Sequence, residues 1–254
     1  MSAVVVSSRV PAERVSEIVR IAAVSIRTMD VTVRLFASLR EHAGAGTLAL
    51  QLGDGATVAD AIAELRSGAL AGLPENAPFV AAVEREYVER DHPLREGDEL
   101  ALVPPVSGGA GPSVGSDRVR LAEITGEPLD VEAVRRLVAD PSTGATVVFC
   151  GTTREVPSLE YEAYVEMAEE KIRELAEAVV AEHGLAAIAC AHRTGTVELM
   201  EPSIVIAASA GHRAEAFAGA RALLDAVKSQ APVWKKEHPE DGPPEWVAGT
   251  LPRV

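Results

Sequence analysis

Apolar and polar side chains alternate over residues 31–35, where Val31, Val33 and Leu35 enclose Thr32 and Arg34, and the alternation returns in Leu48, Leu50 and Leu52. A period of two turns one face of each segment inward, and the Gly44-Ala45-Gly46 turn between them predicts a hairpin. The period then changes. Thr57 followed by Asp60 reads as a capping box, and Val58, Ala61, Ile62 and Leu65 form a stripe at helical spacing that stops near Gly68. Phe79–Val83 is a short apolar strand, Glu96-Gly97-Asp98 a turn, and Leu100, Leu102 and Val103 a last strand that runs into prolines and glycines. The order is β-β-α-β-β.

In the second half, Val119 and Leu121 predict a strand, and Asp130 caps a helix with Val131, Val134, Leu137 and Val138 inward. Ala145–Cys150 reads as a buried strand and Leu159–Tyr164 as an alternating one. A long helix from Ala168 to His183 turns Ile172, Leu175, Ala176, Val179 and Val180 inward and stops at Gly184. Strands over 186–191 and 203–208 precede a helix from Arg213 to Lys228 with Phe217, Ala220, Leu224 and Val227 inward. Strands and helices mix throughout 254 residues, which predicts an α/β (α+β) chain of two domains.

Composition narrows the class. Hydrophobic residues make up 47% and aromatic residues 4%, so the cores must be built from Val, Leu, Ile and Ala. A net charge of -14 argues against nucleic acid and anionic membrane as partners. Arg9, Arg14, Arg20 and Arg27 break every apolar run near the start, leaving no signal-peptide core. Residues 1–28 are expected to be a dispensable extension, with Met29 an alternative start, and the chain is expected in the cytoplasm. Cys150 and Cys190 lack metal or disulfide spacing and, in strands predicted to be buried, read as small core residues.

Two stretches have chemical promise. In Val103-Pro104-Pro105-Val106-Ser107-Gly108-Gly109, two glycines without Cβ can thread a narrow channel, and a carboxylate on the second would be an unhindered acyl group. By composition alone, Gly108 to Ser116 reads first as a flexible linker, and it is the flanking residues that favour the tail. His212-Arg213 lies between a strand and a helix, where backbone N–H groups, the helix dipole and a guanidinium can converge on an anion; the plain reading is a solvated helix end. Lys228 closes that helix and Lys235 follows a proline. Brought together with Arg213, the lysines would repel, lowering one from about 10.4 toward neutrality and fitting it for acid, base or nucleophile. The alternative for Lys235-Lys236 is a solvated charge pair.

Val33-Arg34-Leu35-Phe36-Ala37 together with the segment from Leu94 to Gly109 resembles the small, sulfur-carrying subunit of molybdopterin synthase. The resemblance implies a ubiquitin-like β-grasp domain over 29–109, with a thiocarboxylate on its last glycine. After a linker over 110–117, five motifs in order resemble the large, catalytic subunit. They are Phe149-Cys150-Gly151-Thr152-Thr153-Arg154, Leu159-Glu160-Tyr161-Glu162-Ala163-Tyr164, His192-Arg193-Thr194-Gly195, Gly211-His212-Arg213 and the segment from Lys228 to Glu237. This implies an α/β hammerhead-type domain over 118–254 that forms a homodimer. The sequence departs from the family pattern where only Glu155-Val156-Pro157-Ser158 stands in place of a longer polar loop.

The family resemblance carries roles onto matching residues. Lys228 and Lys235 match its two functional lysines, with Lys236 as alternative to the second. Arg154, His212 and Arg213 would hold the phosphate of cyclic pyranopterin monophosphate, Phe149 would wall the pterin, and Glu237 would orient a lysine. Gly108 and Gly109 match the carrier tail, and His192-Arg193 reads as mainly structural, the alternative being another anion contact. The implied activity is a sulfurtransferase making the molybdopterin dithiolene, with no metal or cofactor expected. The rival is a ubiquitin-like carrier or tag fused to a docking scaffold, which would have no use for a pterin phosphate. With neither a Gly-x-x-x-x-Gly-Lys loop nor a Cys-x-x-Cys pair, a separate adenylating and sulfurating enzyme is an expected partner. Gly109 is bonded to Ala110, so a processing protease is expected to cut after Gly109 and free the tail for charging; the alternative is an uncut chain that serves as structural partner for separately encoded carriers.

Overall fold

A computed structural model describes residues 28–105 and 117–249. The expected extension up to residue 27, the tail glycines Gly108 and Gly109, and the expected linker up to residue 116 lie outside these residues.

The first unit runs β1 (Thr28–Leu35), α1 (Ala37–Ala43), β2 (Thr47–Gly53), α2 (Val58–Ser67), β3 (Val80–Val83), β4 (Glu86–Val88) and β5 (Glu99–Val103). β1 and β2 pair antiparallel, with Val31 opposite Leu50 and Val33 opposite Leu48. β5 joins β1 in parallel, completing the order β2-β1-β5-β3-β4. A parallel pair needs a crossover. α2 lies on that path and packs Val58, Ala61, Ile62 and Leu65 with Val31, Val33, Leu100 and Leu102. Its capping box forms as Thr57 and Asp60 bond each other's backbone N–H. The result is a ubiquitin-like β-grasp. The seven residues of α1 are too few to show a period, and Gly44 ends the helix at φ 69°, which favours glycine.

The second unit runs β6 (Val119–Thr125), α3 (Val131–Leu137), β7 (Ala145–Thr152), β8 (Ser158–Ala163), α4 (Val165–His183), β9 (Ala187–Arg193), β10 (Gly195–Glu198), β11 (Pro202–Ala210), α5 (Arg213–Gln230), β12 (Val233–His238) and β13 (Glu245–Trp246). One sheet has the order β6-β9-β11-β7, the other β10-β8-β12-β13. On the first sheet, Ile188, Cys190 and Ile206 pack with Ile172, Leu175 and Leu223 of α4 and α5. Ala189 and Val205, of opposite parity, pack with Val134 of α3. Coverage on both faces explains why β9 and β11 read as continuous apolar runs.

Three expectations are corrected. Phe217 is exposed because the inward stripe of α5 is Ala216, Ala220, Leu223 and Val227, and one residue on turns a side chain by about 100°. Leu137 is exposed because α3 meets the sheet through Val134 and Val138. Cys150 is exposed on β7, which has a strand neighbour on one side only, and it lies beyond Val148, the last β7 residue packed with the α3 layer. Among the described residues no helix is long and apolar enough to cross a membrane.

Candidate active site

The two units meet along an aromatic seam. Phe36, Ala82, Ala101 and Val103 of the first unit pack with Tyr164, Met167 and Trp234 of the second. The Phe36 ring stacks between Tyr164 at 4.9 Å and Trp234 at 5.1 Å. The Tyr164 hydroxyl donates to Glu99, and the Arg34 guanidinium sits 4.5 Å over the Tyr164 ring. Charged pairs rim the seam: Arg40 with Glu162 at 2.9 Å, Arg85 with Glu170, and Lys236 with Glu41. Trp234 Nε1 donates to the Pro104 carbonyl at 3.3 Å. The chain leaving β5 is thus held against β12.

There Pro105, the last described residue before the tail, lines a cavity of about 450 Å³. Arg154 comes to it from the end of β7, Tyr161 from β8, His192 from β9, Lys228 from the last turn of α5, and Lys235 and Glu237 from β12. Gly151 forms part of the wall, and a Cβ there would lie 2.8 Å from Ile204 and 3.2 Å from the Phe149 ring, so only glycine fits. Val247, Ala248 and Gly249 close a further side.

Strand parity sorts the β12 cations. Lys235 and Glu237, two apart, face the cavity and pair at 3.3 Å, while Lys236 points the opposite way to Glu41 and the Trp246 ring. Lys228 stands at the negative end of the α5 dipole, which suits a cation. Arg154 is exposed and paired with Glu155. Phe149 stands behind Gly151 and is not among the lining residues. His212 and Arg213 are not brought together with the lysines: they open α5 and Lys228 closes it, which at 1.5 Å per residue separates them by roughly 22 Å. The expected repulsion of Arg213 on the lysines is therefore absent within one chain.

The structure adds residues that the sequence reading did not place here. The Tyr161 hydroxyl donates to Ser203 Oγ at 3.2 Å and Ser203 donates to the Gly151 carbonyl at 3.2 Å; burial pushes the Tyr161 hydroxyl up. His192, read as structural, is buried in the cavity floor. Burial pushes the Cys190 thiol up to about 12 and also raises Cys150, so neither is poised as a thiolate.

Residues 124–230 match the family model described as MoaE protein, and residues 33–109 match that of the ThiS family. The molybdopterin synthase catalytic subunit of Aspergillus oryzae is 39% identical over 130 residues, covering 49% of this chain and 73% of the relative. That of Bos taurus is 39% identical over 132 residues, covering 50% and 70%. The chain belongs to the molybdopterin synthase catalytic subunit family. In front of that domain it carries, in the same chain, a ubiquitin-like domain of the ThiS sulfur-carrier family. Its role lies in molybdenum cofactor biosynthesis, where members of the family are enzymes. A solved molybdopterin synthase structure from Staphylococcus aureus is also similar, at 33% identity and a TM-score of 0.47, covering 50% of this chain and 96% of its own.

Proposed function

We propose that the chain is a sulfurtransferase that makes the molybdopterin dithiolene by moving sulfur from a thiocarboxylate on Gly109 to cyclic pyranopterin monophosphate, two sulfurs per product. One observation carries the reading: Pro105 lines the same cavity as Lys228 and Lys235. Gly109 lies four residues further along, a reach of up to roughly 13 Å. A tail with no side chains at its tip suits entry into such a cavity. Lys228 and Lys235 are the groups for proton transfer or a transient covalent link, and Arg154 suits the phosphate. His212 and Arg213 would serve this cavity only from a second copy, which favours a homodimer through the second unit.

The test is Lys228→Ala, supplied with a thiocarboxylated carrier domain and substrate. Turnover is expected to fall by about 10²-fold or more, with circular dichroism unchanged. Unimpaired sulfur transfer by a folded Lys228→Ala variant would remove that lysine from the mechanism.

A further inference from the structure

His192 lies on the face of β9 that carries Ile188 and Cys190, at the point where that apolar row reaches the cavity. Its Nδ1 is 2.9 Å from the Arg193 carbonyl oxygen. A carbonyl only accepts, so Nδ1 carries the proton and Nε2 presents a bare lone pair. Among the described residues nothing hydrogen-bonds Nε2. Tyr161 packs edge-on against the ring at 5.0 Å, but its hydroxyl is committed to Ser203. Burial above all pushes the imidazole down to about 4; the Arg193 carbonyl opposes this and the Lys228 charge adds to it. The ring therefore stays neutral at physiological pH.

The rest of the cavity is rich in donors. Lys228, Lys235 and Arg154 suit phosphate and carbonyl oxygens, while the lining carboxylates Glu155 and Glu237 are already paired with Arg154 and Lys235. An acceptor without a partner and fixed in tautomer is the complement of a ligand edge that donates. We propose that His192 determines specificity in this cavity, its Nε2 accepting a hydrogen bond from a ring or amino N–H of the heterocyclic substrate. The inference rests on the pterin-phosphate reading given above. It assigns the heterocycle to the β9 side of the cavity and leaves the phosphate to the cations.

Two variants test it. His192→Phe keeps a ring against Tyr161 and removes the acceptor; His192→Gln keeps an acceptor. Each is titrated with cyclic pyranopterin monophosphate and, separately, with inorganic phosphate, by intrinsic fluorescence with Trp234 in the cavity wall, and kcat and KM are measured with a charged carrier. For His192→Phe we expect Kd and KM for the pterin phosphate to rise about tenfold, the result of leaving one donor unpaired. The same variant should keep kcat within about threefold and bind inorganic phosphate as wild type does. His192→Gln should recover most of the loss. If the Phe variant does not fold, His192→Asn, whose shorter amide cannot reach the same point, replaces it. Equal pterin-phosphate binding by all chains, or equal weakening toward both ligands as a merely structural role would give, overturns the inference. Wild-type protein that binds no pterin phosphate would instead defeat the proposed function itself, and His192 with it.

Discussion

His192 couples the site to stability. Its folded value of about 4 lies below the ordinary 6.5, so the unfolded chain binds the proton that the folded chain refuses. Stability is then full above the ordinary value and falls as pH drops toward the folded one. Between pH 7 and pH 5 the loss from this group is about 2 kcal/mol, read as a lower urea midpoint, and His192→Gln should flatten that part of the profile. An identical profile in the variant would show that the ring is not held neutral. Parity makes a second contrast: Lys235→Ala should depress turnover, whereas Lys236→Ala should leave catalysis by a pre-charged carrier intact and weaken the seam by about 1 kcal/mol, the worth of an ion pair that solvent still reaches on its Glu41 side. Equal losses of turnover in the two variants would contradict the assignment by strand face.

At the scale of elements, the seam depends on β12 and on the turn from β1 into α1. Neither was legible: α1 is one short helix, and Val233–His238 mixes Trp234 with charged residues that alternate for two different purposes. Trp234→Ala removes a buried aromatic stacked on Phe36 and should loosen the seam by about 3 kcal/mol or more. Trp234→Phe forfeits mainly the bond to Pro104, about 1 kcal/mol. Hydrogen exchange at residues 36–39 and 233–236 measures both, and unchanged protection in the alanine variant would place the docking energy elsewhere. The longer elements α2, α4 and α5 were legible because each repeats a wide apolar stripe, although Phe217 shows how one large side chain near a helix end can mislead the choice of face.

At the scale of the molecule, a thiocarboxylate on Gly109 requires a chain end that the peptide bond to Ala110 denies. Intact-mass analysis of protein from its native host should therefore find a fragment ending at Gly109, part of it with one oxygen replaced by sulfur. A fully active preparation of uncut chain alone would refute this. The separated halves should stay bound through the aromatic seam, with an affinity that declines only modestly with salt because just the rim is ionic. If His212 and Arg213 act across a two-fold dimer, mixing inactive Lys228→Ala and Arg213→Ala chains should restore about a quarter of wild-type activity, from the mixed dimers that hold one intact site. No recovery after verified subunit exchange would place the phosphate contact within one chain.

The sequence by itself determined the two units, most of their strands and long helices, the family of each, and the residue types for the chemistry, because local periodicity and linear motifs are written along the chain. It also named Lys228, Lys235, Arg154 and Glu237, which the fold gathers around one cavity. Only the tertiary structure decided that Lys236 turns to the seam, that His212 and Arg213 lie a helix length from Lys228, and that Pro105 opens on that same cavity. It alone set His192, read as mainly structural, in the cavity with its Nδ1 on the Arg193 carbonyl. On β9 its parity with Ile188 and Cys190 reads as burial, and what gives the ring a role is the gap between β8, β11 and the end of α5, segments up to about 40 residues away whose convergence no local pattern records.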